Sequence, residues 1–452
     1  MVLVPTNTNK ETIGTRCSRD VHTARIQPII VAEPSQIVFR LTTTQEQHPS
    51  ITMLASPSAF VSRRDWLRGT LIAGVTVVCG FDRLAGRIQA ALPIADERKL
   101  LSGQRLADLP FLLEPTINLE TPQGAGLDGR LYTDLSALSP EHGVVPTAKF
   151  YIRTRASELL DTSKPWSIAR PSTTGSARPN ALTIPELRKL SRPMGLHLME
   201  CSGNSRAAHF GMISVAQWTG VPLSEILDRM HPPRDSRILV SGFDHYPQTS
   251  SSSVEGASWI FTPEQLHASN AFLALEMNGA PLPRDHGAPV RLLVPGWYGC
   301  TCIKWVNEIS VVADDPPATS QMLEFAVRTH QDGVPKLASE FRPALIQQAA
   351  VPIRVEKWSV DGNIKYRVVG ILWGGTQPVK LLEIRCNPEE DYVAVDHLAP
   401  AASNDPWSFW SHVWTPKTPG TYAIRLNVKE PLIHSIRLDA GFYVRSVEIT
   451  EV

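Results

Sequence analysis

The chain has 452 residues, a length that fits two or three domains, and its 44 Lys plus Arg balance 44 Asp plus Glu to a formal net charge of zero. No global field therefore draws it to nucleic acid or to an anionic membrane surface. Hydrophobic residues at 42% suffice for ordinary cores, while 37 prolines call for many loops and strand edges.

Residues 1–61 show no sustained helical or strand period, are rich in Thr, Ser, Pro and Gln, and read as a disordered extension. Ser62-Arg-Arg-Asp-Trp-Leu-Arg68 then leads into the apolar run Leu71 to Phe81 and the small residues around Ala90 and Ala91. Paired arginines, a short apolar stretch and small residues in that order predict a twin-arginine signal peptide over 62–91, hence export to the periplasm. The apolar run is too short to span a bilayer comfortably, so no membrane span is expected after the leader is removed. A buried or amphipathic helix is the other reading of this run. Met53 stands where a leader of ordinary length would begin, and residues 1–52 are then not translated. Cys79 lacks the small preceding residues of a lipoprotein cleavage site. Cys201, Cys300, Cys302 and Cys386 remain in the mature chain, too sparse for a disulfide framework.

Mature structure is expected from near Pro93, with Leu109 to Thr147 as an extended lead-in that turns at Gln123-Gly124 and Glu141-His-Gly143. Lys149-Phe-Tyr-Ile-Arg-Thr-Arg155 reads as a strand with alternating basic residues. Thr183-Ile-Pro-Glu186 has capping-box spacing and predicts a helix that stops at Arg192-Pro193. Leu196-His-Leu-Met-Glu200 then alternates like a strand, and Ser202-Gly-Asn204 turns the chain behind Cys201. Cys201 is most simply a small buried hydrophobe. Asn204 and Arg206 beside it would instead supply donors and positive charge, favouring the thiolate that binds metal or acts as a nucleophile. A second helix is expected from Pro222 to Met230, and strands over Arg237–Phe243, Val290–Pro295 and Glu308–Val312. Thr249 to Ser253 reads as a flexible loop.

The segments Cys201-Ser-Gly-Asn-Ser-Arg206, Trp218-Thr-Gly-Val-Pro-Leu223, Glu276 to Arg291, Val294-Pro-Gly-Trp-Tyr-Gly299 and Lys304-Trp305 stand in one order. Together, from about Phe150 to the C-terminus, they resemble the sulfite oxidase family of molybdenum-cofactor enzymes. The resemblance implies an α+β fold with a molybdopterin-binding catalytic domain over 93–315 and an immunoglobulin-like dimerisation domain over 320–452. It implies a molybdenum–molybdopterin cofactor whose metal takes Cys201 as its single protein ligand. Arg153 and Arg206 are then the cations that hold a substrate anion. His286, Arg291 and Lys304 bind the phosphate and pterin, and Asp244 lies close to the pterin. Arg155 stands where the family has a histidine that contacts the cofactor. In ordinary structural terms, Arg153 is a solvated arginine on a strand edge, Asp244 a turn former and His286 a loop cap.

Cys300-Thr-Cys302 is too close-set for an unstrained disulfide or a zinc site, and packing cysteines are expected. No Cys-x-x-Cys-His occurs, so this chain is expected to hold no c-type haem. The proline-rich stretch Asp314-Asp-Pro-Pro-Ala318 marks the expected domain boundary. Tyr366–Trp373, Val379–Cys386, Thr421–Val428 and Phe442–Thr450 then read as strands of an antiparallel sandwich. Trp407, Trp410 and Trp414 resemble the family's dimerisation domain; a monomeric sandwich would bury them in its own core.

The resemblance implies a periplasmic enzyme that oxidises sulfite or a related sulfur anion to sulfate and passes electrons to a separate cytochrome c, as a homodimer. Two departures stand out. Phe325 occupies the place of an active-site tyrosine, and the C-terminus lacks a Trp-Asn-x-x-Gly segment that brings another pocket arginine. A molybdenum enzyme of S-oxides or sulfane sulfur is therefore a second reading, and a non-catalytic exported binding or assembly module a third.

Overall fold

The computed structural model describes residues 99–171, 181–233, 235–399, 406–429, 436 and 438–452, all within a unit that spans 84–452. The N-terminal extension, the Met53 start and the twin-arginine leader lie outside the described residues.

The cysteine strand is set up by the helix before it. Thr183 Oγ1 accepts the Glu186 N–H, and the Glu186 carboxylate returns to the Thr183 N–H at 2.8 Å, closing the expected capping box. The helix Ile184–Leu190 ends at Ser191, and the strand Arg192–Glu200 follows. This strand is edged at its start and buried from Leu198 to Glu200, so its end drives into the core. It pairs antiparallel with Ile213–Pro222, which pairs with Phe272–Met277, itself flanked by Ala280–Pro281 and Arg291–Leu293. A second antiparallel sheet joins Val306–Val312, Arg237–Gly242 and Ser258–Phe261. Beyond the proline-rich stretch, the helix Ser320–Phe325 packs back on Ser258–Phe261.

Two further antiparallel sheets form the C-terminal part. One runs Gln104–Leu109, Ala349–Val360, Asn363–Trp373, Ser408–Trp414, His397–Leu398, and the other Val393–Ala394, Leu382–Arg385, Gly420–Val428, Arg445–Ile449. Ala349–Val360 touches Gly420–Val428 and Arg445–Ile449, so the sheets face each other, an arrangement compatible with the immunoglobulin-like reading. The longest strand of this part, Ala349–Val360, escaped the sequence reading because Pro352 and the charges Arg354, Glu356 and Lys357 mask its alternation. The structure places a bulge between Pro352 and Arg354, where a proline costs no ladder bond. Asp361 and Gly362, both at positive φ, turn it into Asn363–Trp373.

Lys149–Arg155 is not one strand. Thr147–Lys149 forms a 3-10 turn, only Ile152–Arg153 is extended, pairing with Arg130–Leu131, and Thr154 reverses at φ 73°. Phe150 and Tyr151 are both buried, so the alternation that a half-buried strand requires is missing. Trp407, Trp410 and Trp414 are buried within the single chain. The Trp410 indole donates to the Ile371 carbonyl at 3.1 Å and that of Trp407 to Gly143 at 3.1 Å, so their burial needs no second subunit. No helix of the described residues is long and apolar enough to cross a membrane.

Candidate molybdopterin site

Cys201 follows the end of its strand directly. Its N–H donates to the Met212 carbonyl and its own carbonyl accepts from Asn204, both at 2.9 Å, which closes the tight loop read from Ser202-Gly-Asn204. The sulfur is buried and receives the Gly203 N–H at 3.5 Å. The Asn204 side chain turns away, donating to Glu200 at 3.2 Å and accepting from Met212 N–H at 3.1 Å. The expected bias toward thiolate is reversed in the protein alone: burial pushes the Cys201 thiol up, against the opposing pull of Gly203 N–H, Arg153 and Arg328. A metal cation at the sulfur is what would release that proton.

Arg153, Cys201, Asp244, His286, Arg291 and Lys304, far apart in the chain, line one cleft. Arg291 heads a strand inside the core, where its Nη1 donates to the His286 carbonyl at 3.1 Å and its Nη2 to Cys302 at 3.0 Å. Its Nε is buried with no partner, an orphan donor beside the cleft. Lys304 Nζ donates to the Asp285 carbonyl at 2.8 Å and to that of Thr154, leaving one of its three protons for a ligand. Burial, with Arg291 close by, lowers this amine to about 7. Gly287, at φ 105°, lets the loop pass between both cations, since a Cβ there would lie 3.0 Å from Arg291 Cβ and 3.2 Å from Lys304 Cα.

His286 stands edge-on to Phe150 and faces the Thr147 carbonyl through Nε2 at 3.2 Å. Burial, Lys304 and Arg291 lower its pKa to about 3, so the ring is neutral. A carbonyl only accepts, so Nε2 carries the proton and Nδ1 is an acceptor. Such a ring suits a pterin N–H better than a phosphate oxygen. The Asp244 carboxylate, buried, accepts the N–H groups of Gly256 and Ala257, the latter at 2.9 Å, and so ties the 249–257 loop to the cleft wall.

Two residues assigned from the sequence do not line the cleft. Arg155 is held by Asp285, its Nε donating to Oδ2 at 2.9 Å, and the stronger local pull of that carboxylate turns it outward. Arg206 opens a 3-10 turn on the side of Arg445 and lines neither this cleft nor the neighbouring cavity. Other residues were missed. Ser253 accepts from Arg153 Nη2, Glu324 lies 4.0 Å from the same nitrogen, and both line the cleft. Arg130, paired in register with Arg153, is close enough that the two guanidiniums repel. None sits in a motif; Arg130 and Arg153 are joined only by strand pairing, and Ser253 lies in the loop that composition left without a task. Cys300 and Cys302 line the cleft as thiols and not as a disulfide, Cys302 accepting the Val294 N–H at 3.4 Å.

Among the described residues no group of three or more His, Cys, Asp or Glu could hold a metal ion by itself. Cys201 offers one soft ligand at the end of a cleft with an orphan guanidinium N–H, a spare ammonium proton and a neutral imidazole acceptor. These groups fit an anionic, hydrogen-bonding cofactor that brings the remaining metal ligands.

The family model described as oxidoreductase molybdopterin binding domain matches residues 167–320, which hold Cys201, Asp244, His286, Arg291 and Lys304. Mitochondrial sulfite oxidase of Homo sapiens is 30% identical over 227 residues, 43% of this chain and 41% of that one. Residues 167–320 thus match the molybdopterin-binding domain of such oxidoreductases, and the chain is similar to mammalian sulfite oxidases over less than half of its length. That match places an oxidoreductase-type molybdopterin-binding domain, and with it a molybdenum–molybdopterin cofactor, on the cleft residues. The Mus musculus mitochondrial enzyme is 27% identical over the same shares of both chains, and a nitrate reductase [NADPH] of Fusarium oxysporum is 34% identical over 103 residues, 23% of this chain and 11% of that one. The chain thus spans less than half the length of these relatives. In fold it is similar to the sulfane dehydrogenase SoxCD of Paracoccus pantotrophus, with a TM-score of 0.54 at 16% identity, covering 80% of this chain and 93% of that one. The sulfite-oxidase-type fold expected from the motifs is therefore present.

Proposed function

We propose that this chain oxidises sulfite, or a closely related sulfur oxyanion, to sulfate in the periplasm, and passes the two electrons to a separate cytochrome c. The observation that carries this reading is the presence of Arg153 and Cys201 on one cleft that Arg291, Lys304 and His286 also line. Bound molybdenum–molybdopterin supplies the two-electron oxygen-transfer chemistry. Cys201 would hold the metal, and Arg291 and Lys304 would take the cofactor's anionic end through the donors left over from their backbone contacts. Arg153 has its Nη1 committed to the Leu127 carbonyl at 3.0 Å, so its guanidinium is fixed before an anion arrives. Such preorganisation offsets the cost of bringing charge into a partly dry site. Export rests on the twin-arginine reading of 62–91, and the homodimer on the family resemblance.

A second reading, action on sulfane sulfur or an S-oxide, draws on Phe325 and Glu324. The cleft carries a phenyl ring where the resembled family has a tyrosine hydroxyl, and a carboxylate that partly neutralises Arg153. Steady-state assays of the loaded enzyme with cytochrome c as acceptor separate the two. Sulfite as the best substrate supports the first reading, and turnover of protein-bound sulfane or of an S-oxide in preference to sulfite replaces it with the second. A chain that never acquires molybdenum in a host that makes the cofactor fits only a non-catalytic module.

A further inference from the structure

Arg153, the cation assigned to the substrate, does not face the cleft alone. Its Nη1 donates to the Leu127 carbonyl at 3.0 Å and to Thr154 Oγ1 at 3.2 Å, and its Nη2 donates to Ser253 Oγ. Glu324 Oε1 lies 4.0 Å from that Nη2, with only 13% of the glutamate side chain exposed. The carboxylate is held there by its own helix. Thr319 Oγ1 accepts the Met322 N–H at 3.2 Å and donates to the Ser258 carbonyl at 2.8 Å, which seats the helix Ser320–Phe325 on the sheet through its buried Met322 and Phe325. Glu324 Oε2 accepts the Val254 N–H at 3.2 Å, while Oε1 is buried with no hydrogen-bond partner, 4.0 Å being too long for one. The other carboxylates on the cleft are taken up by donors: Asp244 by the Gly256 and Ala257 N–H groups, and Asp285 by Arg155 Nε at 2.9 Å and the Ala156 N–H at 2.8 Å. Arg153 also pulls electrostatically on the Cys201 thiol, so the Arg153–Glu324 pair stands at the cysteine end of the cleft.

We infer that Glu324 is the specificity-determining residue that sets the charge of the substrate: beside Arg153 it admits a singly charged sulfur oxyanion, such as hydrogensulfite, and disfavours a doubly charged one. The inference rests on the proposed oxidation of a sulfur oxyanion and narrows its substrate class. Arg153 attracts an entering anion, and the carboxylate beside it repels the same anion. In a partly dry site that repulsion is not screened as it is in water, and it doubles from a monoanion to a dianion. A pocket shaped for a dianion would leave the guanidinium to the ligand, whereas here three of its donors and the facing carboxylate are already in place.

The test is calorimetric titration of sulfate and of methanesulfonate, alike in shape and one charge apart, into the oxidised, cofactor-loaded protein. Glu324→Gln keeps an oxygen for the Val254 N–H and removes the charge. It is expected to bind sulfate about tenfold more tightly than wild type and methanesulfonate about threefold, because the repulsion removed scales with the charge of the anion. Ser253→Asp adds a carboxylate at Arg153 and should weaken both anions, sulfate the more. Asp332→Asn, which neutralises an exposed carboxylate paired with Arg342 off the cleft, should change neither. Unaltered molybdenum content and unfolding midpoint establish that fold and loading are intact; should Glu324→Gln fail on either, Ser253→Asp decides by the same comparison of the two anions. Equal changes for both anions, no change for either, or no binding of either overturns the inference. Charge-scaled changes in a protein that does not oxidise sulfite keep Glu324 in this role while rejecting the proposed reaction, and sulfite oxidation with equal changes does the reverse.

Discussion

The indole N–H of Trp373 donates to the carboxylate of Glu200 at 2.7 Å, both side chains being buried. One residue belongs to the C-terminal sheet and the other ends the strand that delivers Cys201, so the bond fixes the cysteine loop to the sandwich. Replacing Trp373 by Phe removes a donor from a buried carboxylate and opens space in a full core. A loss of about 1–3 kcal/mol is expected, read as a lower urea midpoint at unchanged slope.

Cys201 contributes little to folding beyond the packing of one small side chain. Cys201→Ser is expected to keep the circular dichroism and oligomeric state of wild type while losing nearly all bound molybdenum, measured by metal analysis of protein purified in parallel. Cys300→Ser, also on the cleft, is expected to retain the metal.

Much of this could be read from the residues. The capping box at Thr183, the strand that ends at Cys201 and the helix Leu223–Met230 follow from local chemistry, and local chemistry is what adjacent residues encode. The cations Arg291 and Lys304 were legible because ordered motifs carry them. What stayed hidden depends on partners distant in sequence. Arg155 is diverted by Asp285, 130 positions away, and Arg130 reaches Arg153 only through strand pairing. The thiol of Cys201 was misjudged for the same reason, since burial is a property of the whole fold and outweighs the donors that neighbour it in sequence.

Lys304 makes the cofactor-free protein pH-dependent. In the unfolded chain its amine titrates near 10.5, and in the folded chain at about 7. Between those values the unfolded chain binds a proton that the folded chain does not, so this group's contribution to stability rises with pH across the window and is lost as pH falls through 7. Unfolding midpoints of cofactor-free protein, compared from pH 7 to 9.5 in wild type and Lys304→Met, should show a smaller rise in the variant. His286, which titrates near 6.5 unfolded and at about 3 folded, should act mainly below pH 7 and add little to the slope in this range.

Arg291 is held by two backbone carbonyls through nitrogens that a lysine cannot replace together. Arg291→Lys is expected to cut cofactor retention about tenfold, with a lower unfolding midpoint, read from pterin released per chain after gel filtration. The same substitution at Arg155, which lines neither cavity, should leave retention near wild type.

The central claim is a molybdenum centre on Cys201 that sulfite reduces. Anaerobic stopped-flow mixing of the purified, molybdenum-loaded protein with sulfite, followed through the metal's visible absorption, tests it most directly. A rapid absorbance change matched by formation of sulfate is the expected result, and it would show that Phe325 is tolerated in place of a tyrosine. A fully loaded protein whose spectrum sulfite leaves unchanged would contradict the claim.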